Sequence, residues 1–124
     1  MQHVLGVLHN NGEVVPQDYN EAVKWCRLAA AQGFAGAQLS LGVKYYHGQG
    51  VPQDYKKAMK WFQLAADQGD ASAQYNIGVM HCHGQGVPKD DKEAVKWYRL
   101  AADQGIPEAQ EALRRLGIDW RIQL

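Results

Sequence analysis

The residue types that most often carry catalysis are sparse in this 124-residue chain. Its two serines, Ser40 and Ser72, lie in neither a Gly-x-Ser-x-Gly nor a Ser-x-x-Lys motif, and there is no His-Glu-x-x-His. The glycine-rich segment at residues 48–50 follows a predicted helix and not a strand, so its glycines suit a turn better than a phosphate site. We therefore predict no catalytic residues and no cofactor, and interpret the protein as a non-enzyme.

The run His81-Cys82-His83 contains three side chains that can bind metal ions. On a helix, residues two apart point to nearly opposite sides, so His81 and His83 cannot hold one ion together. Helical metal sites favour i, i+4 pairs. His47 lies one repeat before His83 and could come near it, but a third ligand is not evident. The alternative is that these imidazoles interact with a helix dipole near its C-terminus, and we predict no metal site.

Composition narrows the class of partner and leaves the compartment open. Thirteen basic and thirteen acidic residues give a formal net charge of zero, whereas nucleic-acid-binding proteins normally carry a basic excess. No apolar run approaches the roughly 18 residues that span a bilayer, so we expect no nucleic-acid partner and no membrane insertion. No signal peptide is visible, and Cys26 and Cys82 do not require an oxidising space. The sequence does not determine the compartment: we expect a soluble protein, which is cytoplasmic, or periplasmic or secreted if an upstream signal is missing.

The elements that position any site come from an internal repeat. Tryptophan recurs with a spacing of 36 residues, and the same shift superposes glycines, prolines and alanine pairs along the chain. A fixed period of this length is the signature of a repeat array, in which each unit buries its apolar face only by stacking on its neighbours. The tryptophans are Trp25, Trp61 and Trp97, and one of the glycine sets is Gly6, Gly42 and Gly78.

Each unit has the pattern of two helices. Ala37, Leu41 and Tyr45 recur at i, i+4 and i+8, which predicts a buried stripe on a first helix that ends at Gly48. Asp54 is placed to cap a second helix. We predict one domain over 1–124, with units at about 1–36, 37–72 and 73–108 and a C-terminal cap at 109–124. The predicted helices lie near 1–10, 18–32, 36–47, 54–68, 72–83, 90–104 and 107–116.

Small residues on these helices predict close packing. Gly42 and the alanines allow backbones to approach, and Tyr45 and Trp61 are expected to fill the remaining space. Cys26, Phe62 and Tyr98 share one repeat position. Cys26 is therefore predicted to fill a packing slot and not to act as a nucleophile.

The repeat resembles the Sel-1-like repeat, a helical-hairpin relative of the tetratricopeptide repeat. The resemblance is carried by LGVKYYHGQGVPQDYKKAMKWFQLAADQGDASA in the middle unit and IGVMHCHGQGVPKDDKEAVKWYRLAADQGIPEA in the third. It covers about residues 1–113, although Val14 stands in the first unit where Gly50 and Gly86 stand later. The resemblance implies an all-α, right-handed α–α superhelix that acts as an adaptor in multiprotein complexes, in bacteria often in signalling, cell-surface or host-contact roles.

The same resemblance implies an alternative function. Some secreted, cysteine-rich relatives have a disulfide in every unit, and penicillin-binding or β-lactamase activity has been attributed to some of them. This chain has alanine where those cysteines would lie, near residues 30, 66 and 102 and near residues 37, 73 and 109. The alternative, a cell-wall or β-lactam-directed hydrolase or binding protein, would require β-lactam turnover that is lost on changing Ser40 or Ser72.

The predicted binding surface lies opposite the buried stripe of each first helix, on the concave face of the solenoid. Tyrosine and apolar side chains there suit a protein or peptide partner. The alternative interpretation is that this row is ordinary helix packing, because apolar residues inside a curved solenoid can bury one another. Lys44 and Met80, which share one repeat position, are secondary candidates. The predicted surface comprises Val7, Asn11, Leu39, Val43, Tyr46, His47, Tyr75, Val79 and His83.

The two ends of the array differ. Arg114 and Arg115 replace the Gly-Val of earlier units, which predicts a capped C-terminal end. Met1 falls inside a first helix, so we expect the chain either to be a fragment of a longer array or to self-associate. The residues expected to fold back over the last hairpin are Leu116, Ile118 and Trp120, and those expected to mediate self-association are Val4, Leu5 and Leu8.

Overall fold

The computed structural model describes residues 18–119 and the side chains of residues 20–119. Within this range the chain forms six α-helices and no strand, which confirms the predicted all-α class. The helix predicted over residues 1–10 lies outside the described residues. The helices are α1 (Asp18–Ala31), α2 (Ala35–His47), α3 (Tyr55–Asp67), α4 (Ala71–His83), α5 (Asp91–Asp103) and α6 (Pro107–Arg115).

The helices form two layers. Each helix packs against the next one along the chain, and the most extensive contacts join α2 to α3 and α4 to α5. These two pairs are therefore the helical hairpins that the repeat predicts. Helices α2, α4 and α6 make the inner layer, and α1, α3 and α5 make the outer one.

The helix ends are set by capping residues at equivalent repeat positions. The Asp54 carboxylate accepts a hydrogen bond from the backbone N–H of Lys57 at 3.1 Å, and Asp90 accepts the equivalent bond at the start of α5. Gly48 ends α2 in the left-handed conformation, with φ of 73°. Both caps were predicted from residue type and are confirmed, since Asp satisfies free amides and Gly accepts positive φ without strain.

The closest helix contacts lie inside the hairpins, where a glycine on the inner helix faces an aromatic ring on the outer one. A Cβ added at Gly42 would lie 2.6 Å from the Phe62 ring, and one added at Gly78 would lie 2.6 Å from the Tyr98 ring. Both rings are buried. Trp61 is only partly buried and packs against the edge of the core. The main volume of the middle hairpin is therefore filled by Phe62, one residue beyond the tryptophan that marks the repeat.

A repeated glutamine network links successive units. Gln68 Nε2 donates to the carbonyl oxygen of Gly33 at 2.8 Å and to Gln38 Oε1 at 2.9 Å. Gln104 makes the two equivalent bonds at 3.0 and 2.9 Å, the second of them to Gln74. Gln38 and Gln74 are buried, so these bonds satisfy amides that would otherwise be costly to bury. The network fixes how each unit sits on the previous one.

The last helix of the described residues, α6, packs against α5. Leu113 is fully buried, and Ile118 packs against the cluster between α5 and α6, as the fold-back prediction requires. Leu116 instead remains 38% exposed and is one of the residues that line a cavity. Trp120, the third residue of that prediction, lies outside the described residues.

Candidate functional site

An apolar cavity lies between α2 and α4. Its volume is about 180 Å³. The buried ring of Phe62, from the outer layer, forms part of its lining. The cavity therefore lies between the side chains of two inner helices and borders the core at Phe62. Its lining residues are Val43, Tyr46, His47, Phe62, Tyr75, Asn76 and Val79.

Tyr46 is held in place at the edge of this cavity. Its hydroxyl donates to Gln85 Oε1 at 2.7 Å, which joins α2 to the loop that follows α4. Its ring meets the His47 ring edge-on, with a centroid distance of 4.9 Å, and lies 5.2 Å from the Tyr55 ring. These contacts restrict both the ring and the hydroxyl. Tyr46 thus presents a pre-positioned aromatic surface, which reduces the entropy lost on binding.

A second cavity lies between α4 and α6 and adjoins the first. Its volume is about 500 Å³, and Tyr75 and Val79 line both cavities. It is more polar than the first, because α6 contributes charged side chains. We use the term groove for the two cavities together. The lining of the second cavity is Tyr75, Val79, Cys82, His83, Tyr98, Pro107, Glu108, Glu111, Ala112, Arg115 and Leu116.

Both tyrosines in the second cavity remain neutral hydroxyls at ordinary pH. Burial raises the pKa of Tyr75, the nearby carboxylate of Glu108 raises it further, and the guanidinium of Arg115 acts in the opposite direction. Burial also raises the pKa of Tyr98, with a smaller effect from the neighbouring Cys82. The Tyr75 and Tyr98 rings lie 5.7 Å apart. The groove therefore offers aromatic surface and neutral hydrogen-bonding groups beside a set of charged residues.

The structure brings most of the residues of the predicted surface together. Val43, Tyr46 and His47 line the first cavity, His83 lines the second, and Tyr75 and Val79 line both. Leu39 lies in neither lining and packs partly buried against the core. Val7 and Asn11, also in the prediction, lie outside the described residues.

Sequence reasoning did not include the charged residues of α6. Glu111 stands one repeat after Tyr75, and Arg115 stands one repeat after Val79. Extending the 36-residue shift into the last helix would have placed both on the concave face. Phe62 was interpreted only as a packing residue, and no sequence signal indicates that its ring also borders a cavity.

The secondary candidates Lys44 and Met80 do not belong to the surface. Lys44 is 5% exposed and Met80 is fully buried, so this part of the prediction is wrong. Their repeat position faces the neighbouring unit, where a long side chain is enclosed by packing. Burial lowers the pKa of Lys44, which is close enough to Cys26 for the two groups to interact electrostatically.

Replacing Lys44 with methionine, the residue of the equivalent position in the next unit, is expected to stabilise the protein by about 1 kcal/mol at pH 7. The substitution removes the desolvation cost of a buried ammonium and keeps a long side chain. The unfolded chain holds this proton up to the ordinary pKa of 10.5, above the lowered folded value. Wild-type stability therefore rises across that window, and the advantage of Lys44→Met shrinks. Urea unfolding at pH 7 and pH 10.5 measures both effects, and a loss of stability in the variant would contradict the assignment.

Among residues 18–119, no cluster of three or more His, Cys, Asp or Glu side chains is arranged to hold a metal ion. Cys26 and Cys82 are both free thiols, and burial raises the pKa of Cys26. No helix in residues 18–119 is both long enough and apolar enough to cross a membrane.

Comparison with known families explains the architecture. The Sel1 repeat model matches three consecutive segments, residues 1–34, 35–70 and 71–106. The chain belongs to the Sel1 repeat family. Sel1 repeats are generally non-catalytic and mediate protein–protein interaction. A comparison with curated protein sequences finds no match to this Sel1 repeat chain.

Solved structures with the same fold support the family assignment. A protective antigen of uropathogenic Escherichia coli strains, described as having an SLR fold, has a TM-score of 0.86 and 42% identity over 96% of this chain and 27% of its own. A Sel1 repeat protein from Oxalobacter formigenes has a TM-score of 0.82 and 38% identity over 90% and 46%. The Sel1 repeat chain thus spans less than half of either protein.

A third similar structure comes from a cysteine-rich protein. Cysteine-rich protein B of Helicobacter pylori has a TM-score of 0.73 and 25% identity, over 86% of this chain and 77% of its own. Together these similarities confirm the predicted helical superhelix of hairpin repeats.

Proposed function

We propose that this Sel1 repeat chain is a non-catalytic scaffold that binds a protein or peptide segment in the groove formed by α2, α4 and α6. The observation that carries the proposal is the pair of adjoining cavities that share Tyr75 and Val79. A continuous groove across successive units suits an extended chain, which can place side chains in one cavity after the other.

The size of the first cavity suits one side chain of a longer ligand better than a compact small molecule, whereas the second cavity, at about 500 Å³, is large enough for either. Small-molecule sites usually enclose about 300–1,000 Å³, whereas the first cavity has about 180 Å³. That volume suits one apolar side chain of a longer ligand. Tyrosine is also among the residues that contribute most to binding free energy at protein interfaces, and Tyr46 and Tyr75 stand at this cavity.

The exposure of the groove residues also supports binding over simple packing. If the inner row were ordinary helix packing, its side chains would bury one another. Val43, Tyr46, Tyr75 and Val79 are instead only partly buried, while the stripe on the opposite side of α2, including Leu41, is fully buried. The same helix thus has one face that is closed and one that stays accessible.

The experiment compares two double variants in affinity capture from a lysate of the source organism, with quantitative mass spectrometry. Tyr46→Ala/Tyr75→Ala removes the aromatic surface of the groove. Leu64→Ala/Leu100→Ala removes two exposed apolar side chains, 40% and 42% exposed, from the outer layer. A partner that binds in the groove is expected to lose about 10- to 100-fold in affinity with the tyrosine variant and to bind the leucine variant normally.

Circular dichroism and thermal unfolding of both variants show that each is folded. Retention of the specific partner by the tyrosine variant would contradict the proposal. Loss of the partner by the leucine variant alone would place the interaction on the outer helices.

A further inference from the structure

Tyr45 lies between two outer helices and meets a cationic side chain from each of them. Arg27 of α1 donates through Nη2 to the Tyr45 hydroxyl oxygen at 2.9 Å. Lys57 of α3 places its Nζ atom 5.6 Å from the centroid of the Tyr45 ring. Since Tyr45 belongs to α2, three successive helices contribute one side chain each, at the boundary between one unit and the next.

The Tyr45 hydroxyl has a hydrogen that the described fold does not use. Its oxygen accepts the bond from Arg27, and a guanidinium has only donors, so the hydroxyl hydrogen needs a different acceptor. Among residues 18–119 no group accepts it. Tyr45 is only 7% exposed, and a donor left unpaired at such a position is costly. A ligand can supply the acceptor.

The two cations also lack an ionic partner among the described side chains. Arg27 and Lys57 are exposed, and neither forms an ion pair within residues 20–119. The carboxylates closest to them along the chain have other hydrogen-bond partners. Asp54 accepts from the backbone N–H of Lys57, and Glu21 accepts from an indole of its own helix. Two positive charges thus flank one phenolic donor.

The next unit boundary shows that the fold does not require this arrangement. One repeat later the three positions are Gln63, His81 and Glu93, so both cations and the phenol are replaced. The hairpin there still packs with the same close contact between a glycine and an aromatic ring. Helix packing alone therefore does not explain why an arginine, a tyrosine and a lysine stand together one repeat earlier.

The donors and charges around Tyr45 match a phosphate monoester. Such a group carries about two negative charges at pH 7 and has three strong acceptor oxygens. A guanidinium, a phenol and an ammonium together supply two positive charges and a donor for each oxygen. Arg27 and Lys57 have long, exposed side chains, so both can close on a group beside the hydroxyl. A carboxylate has one charge and would leave one cation unmatched.

We propose that Arg27, Tyr45 and Lys57 form a binding site for a phosphate group, separate from the groove. The Tyr45 hydroxyl donates to one phosphate oxygen, the guanidinium binds a second, and the ammonium turns from the ring to the third. The phosphate belongs to a free ion or to a phosphorylated side chain of a partner, since both present the same oxygens. The site does not depend on the proposed function.

The first test is an NMR titration of the isotope-labelled chain with inorganic phosphate, with blocked phosphoserine and with acetate. Constant ionic strength separates binding from general screening. We expect saturable shifts around Arg27, Tyr45 and Lys57, and phosphate to bind about tenfold more tightly than acetate. Equal affinity for phosphoserine would support the site and assign it to protein-borne phosphate. Binding of inorganic phosphate alone would support the site and assign it to the free ion.

Single variants measure the part of each side chain. Tyr45→Phe removes only the hydroxyl and is expected to weaken phosphate binding by about five- to tenfold. Arg27→Gln, which introduces the residue of the next unit, is expected to weaken it by about tenfold or more. Lys57→Gln is expected to cost about two- to fivefold. Its matched control is Lys56→Gln, which removes the same charge from an exposed neighbour that points about 100° away around α3.

Transfer of the site to the next boundary tests the proposal independently. The triple variant Gln63→Arg/His81→Tyr/Glu93→Lys copies the three side chains onto the equivalent positions of α3, α4 and α5. It is expected to bind a second phosphate, with new shifts around residue 81. Circular dichroism and thermal unfolding show that each variant is folded.

Several results would overturn the proposal. Equal affinity for acetate and phosphate would contradict the match of charge and oxygens. Equal losses from Lys56→Gln and Lys57→Gln would assign the binding to overall charge, and unchanged affinity in Tyr45→Phe would remove the hydroxyl from the site. A folded triple variant that binds no second phosphate would show that the three side chains do not make a site. None of these results bears on the proposed function of the groove.

Discussion

Replacing Phe62 with alanine is expected to reduce the free energy of unfolding by about 3–5 kcal/mol. The Phe62 ring is 1% exposed and lies in the largest core cluster, where it packs against the backbone of α2 at Gly42. Its removal leaves a cavity between the two helices of the middle hairpin that neighbouring alanines cannot fill. For a chain of this size the loss corresponds to a fall in melting temperature of roughly 10–20 °C.

Leu64→Ala is the control for this prediction. Leu64 lies on the same helix two residues later but is 40% exposed, so its truncation is expected to cost less than about 0.5 kcal/mol. Urea unfolding followed by circular dichroism measures both variants. Equal costs for the two substitutions would show that Phe62 does not occupy the core position assigned to it.

Replacing Gly42 with alanine is expected to destabilise the protein by about 2–3 kcal/mol, although alanine is the better helix former. The added Cβ would lie 2.6 Å from two ring carbons of Phe62 and 3.3 Å from the carbonyl oxygen of Ala58. Because the ring is buried and the oxygen belongs to the backbone, neither can move away without separating α2 from α3. The helices would then lose packing along the whole hairpin.

Two further variants isolate the cause. Gly36→Ala changes an exposed glycine of the same helix and is expected to stabilise by about 0.5–1 kcal/mol, because only helix propensity changes there. In a Phe62→Ala background the new methyl group has space, so Gly42→Ala is expected to cost little. A double-mutant cycle over Gly42 and Phe62 measures this coupling. Additive effects would mean that the glycine is required for another reason.

The sequence predicted the helices well because their signals are local. The Asp54 cap and the Gly48 terminus depend on residue type and on neighbours within one turn, and both are present in the structure. The predicted helices agree with the observed ones to within one residue at each end between residues 18 and 119. Because the pattern occurs in three copies, a helix boundary that is weakly marked in one unit is defined by the equivalent residues of the other units.

The sequence was less informative about which side chains fill the core. Trp61 is the most conspicuous residue of its helix, but Phe62 is the one that is fully buried. Neighbouring residues on a helix differ in direction by about 100°. The contact partner of each depends on how α2 and α3 are placed, and hydrophobicity alone does not distinguish the two aromatic residues.

The sequence predicted only part of the candidate site, because the placement of the helices decides which side chains line it. The periodicity placed Val43 and Val79 on one face, and the structure puts both in the groove lining. The sequence also made Lys44 a secondary candidate for the binding surface. Its side chain is in fact buried against the neighbouring unit, which nothing in the residue type of a lysine indicates. The presence of Glu108 and Tyr75 in the lining of one cavity depends on how α6 is packed against α5, which no local pattern encodes.

The sequence by itself determined the repeat length, the helices, their caps and the family, since all of these follow from recurring residue types at short range. Only the tertiary structure decided that the inner helices leave two adjoining cavities, that Phe62 closes on Gly42, and that α6 contributes charged side chains to one end of the groove. The physical reason is that periodicity defines the direction of a side chain about its own helix axis. Distances and charges between side chains depend on how separate helices are packed against each other.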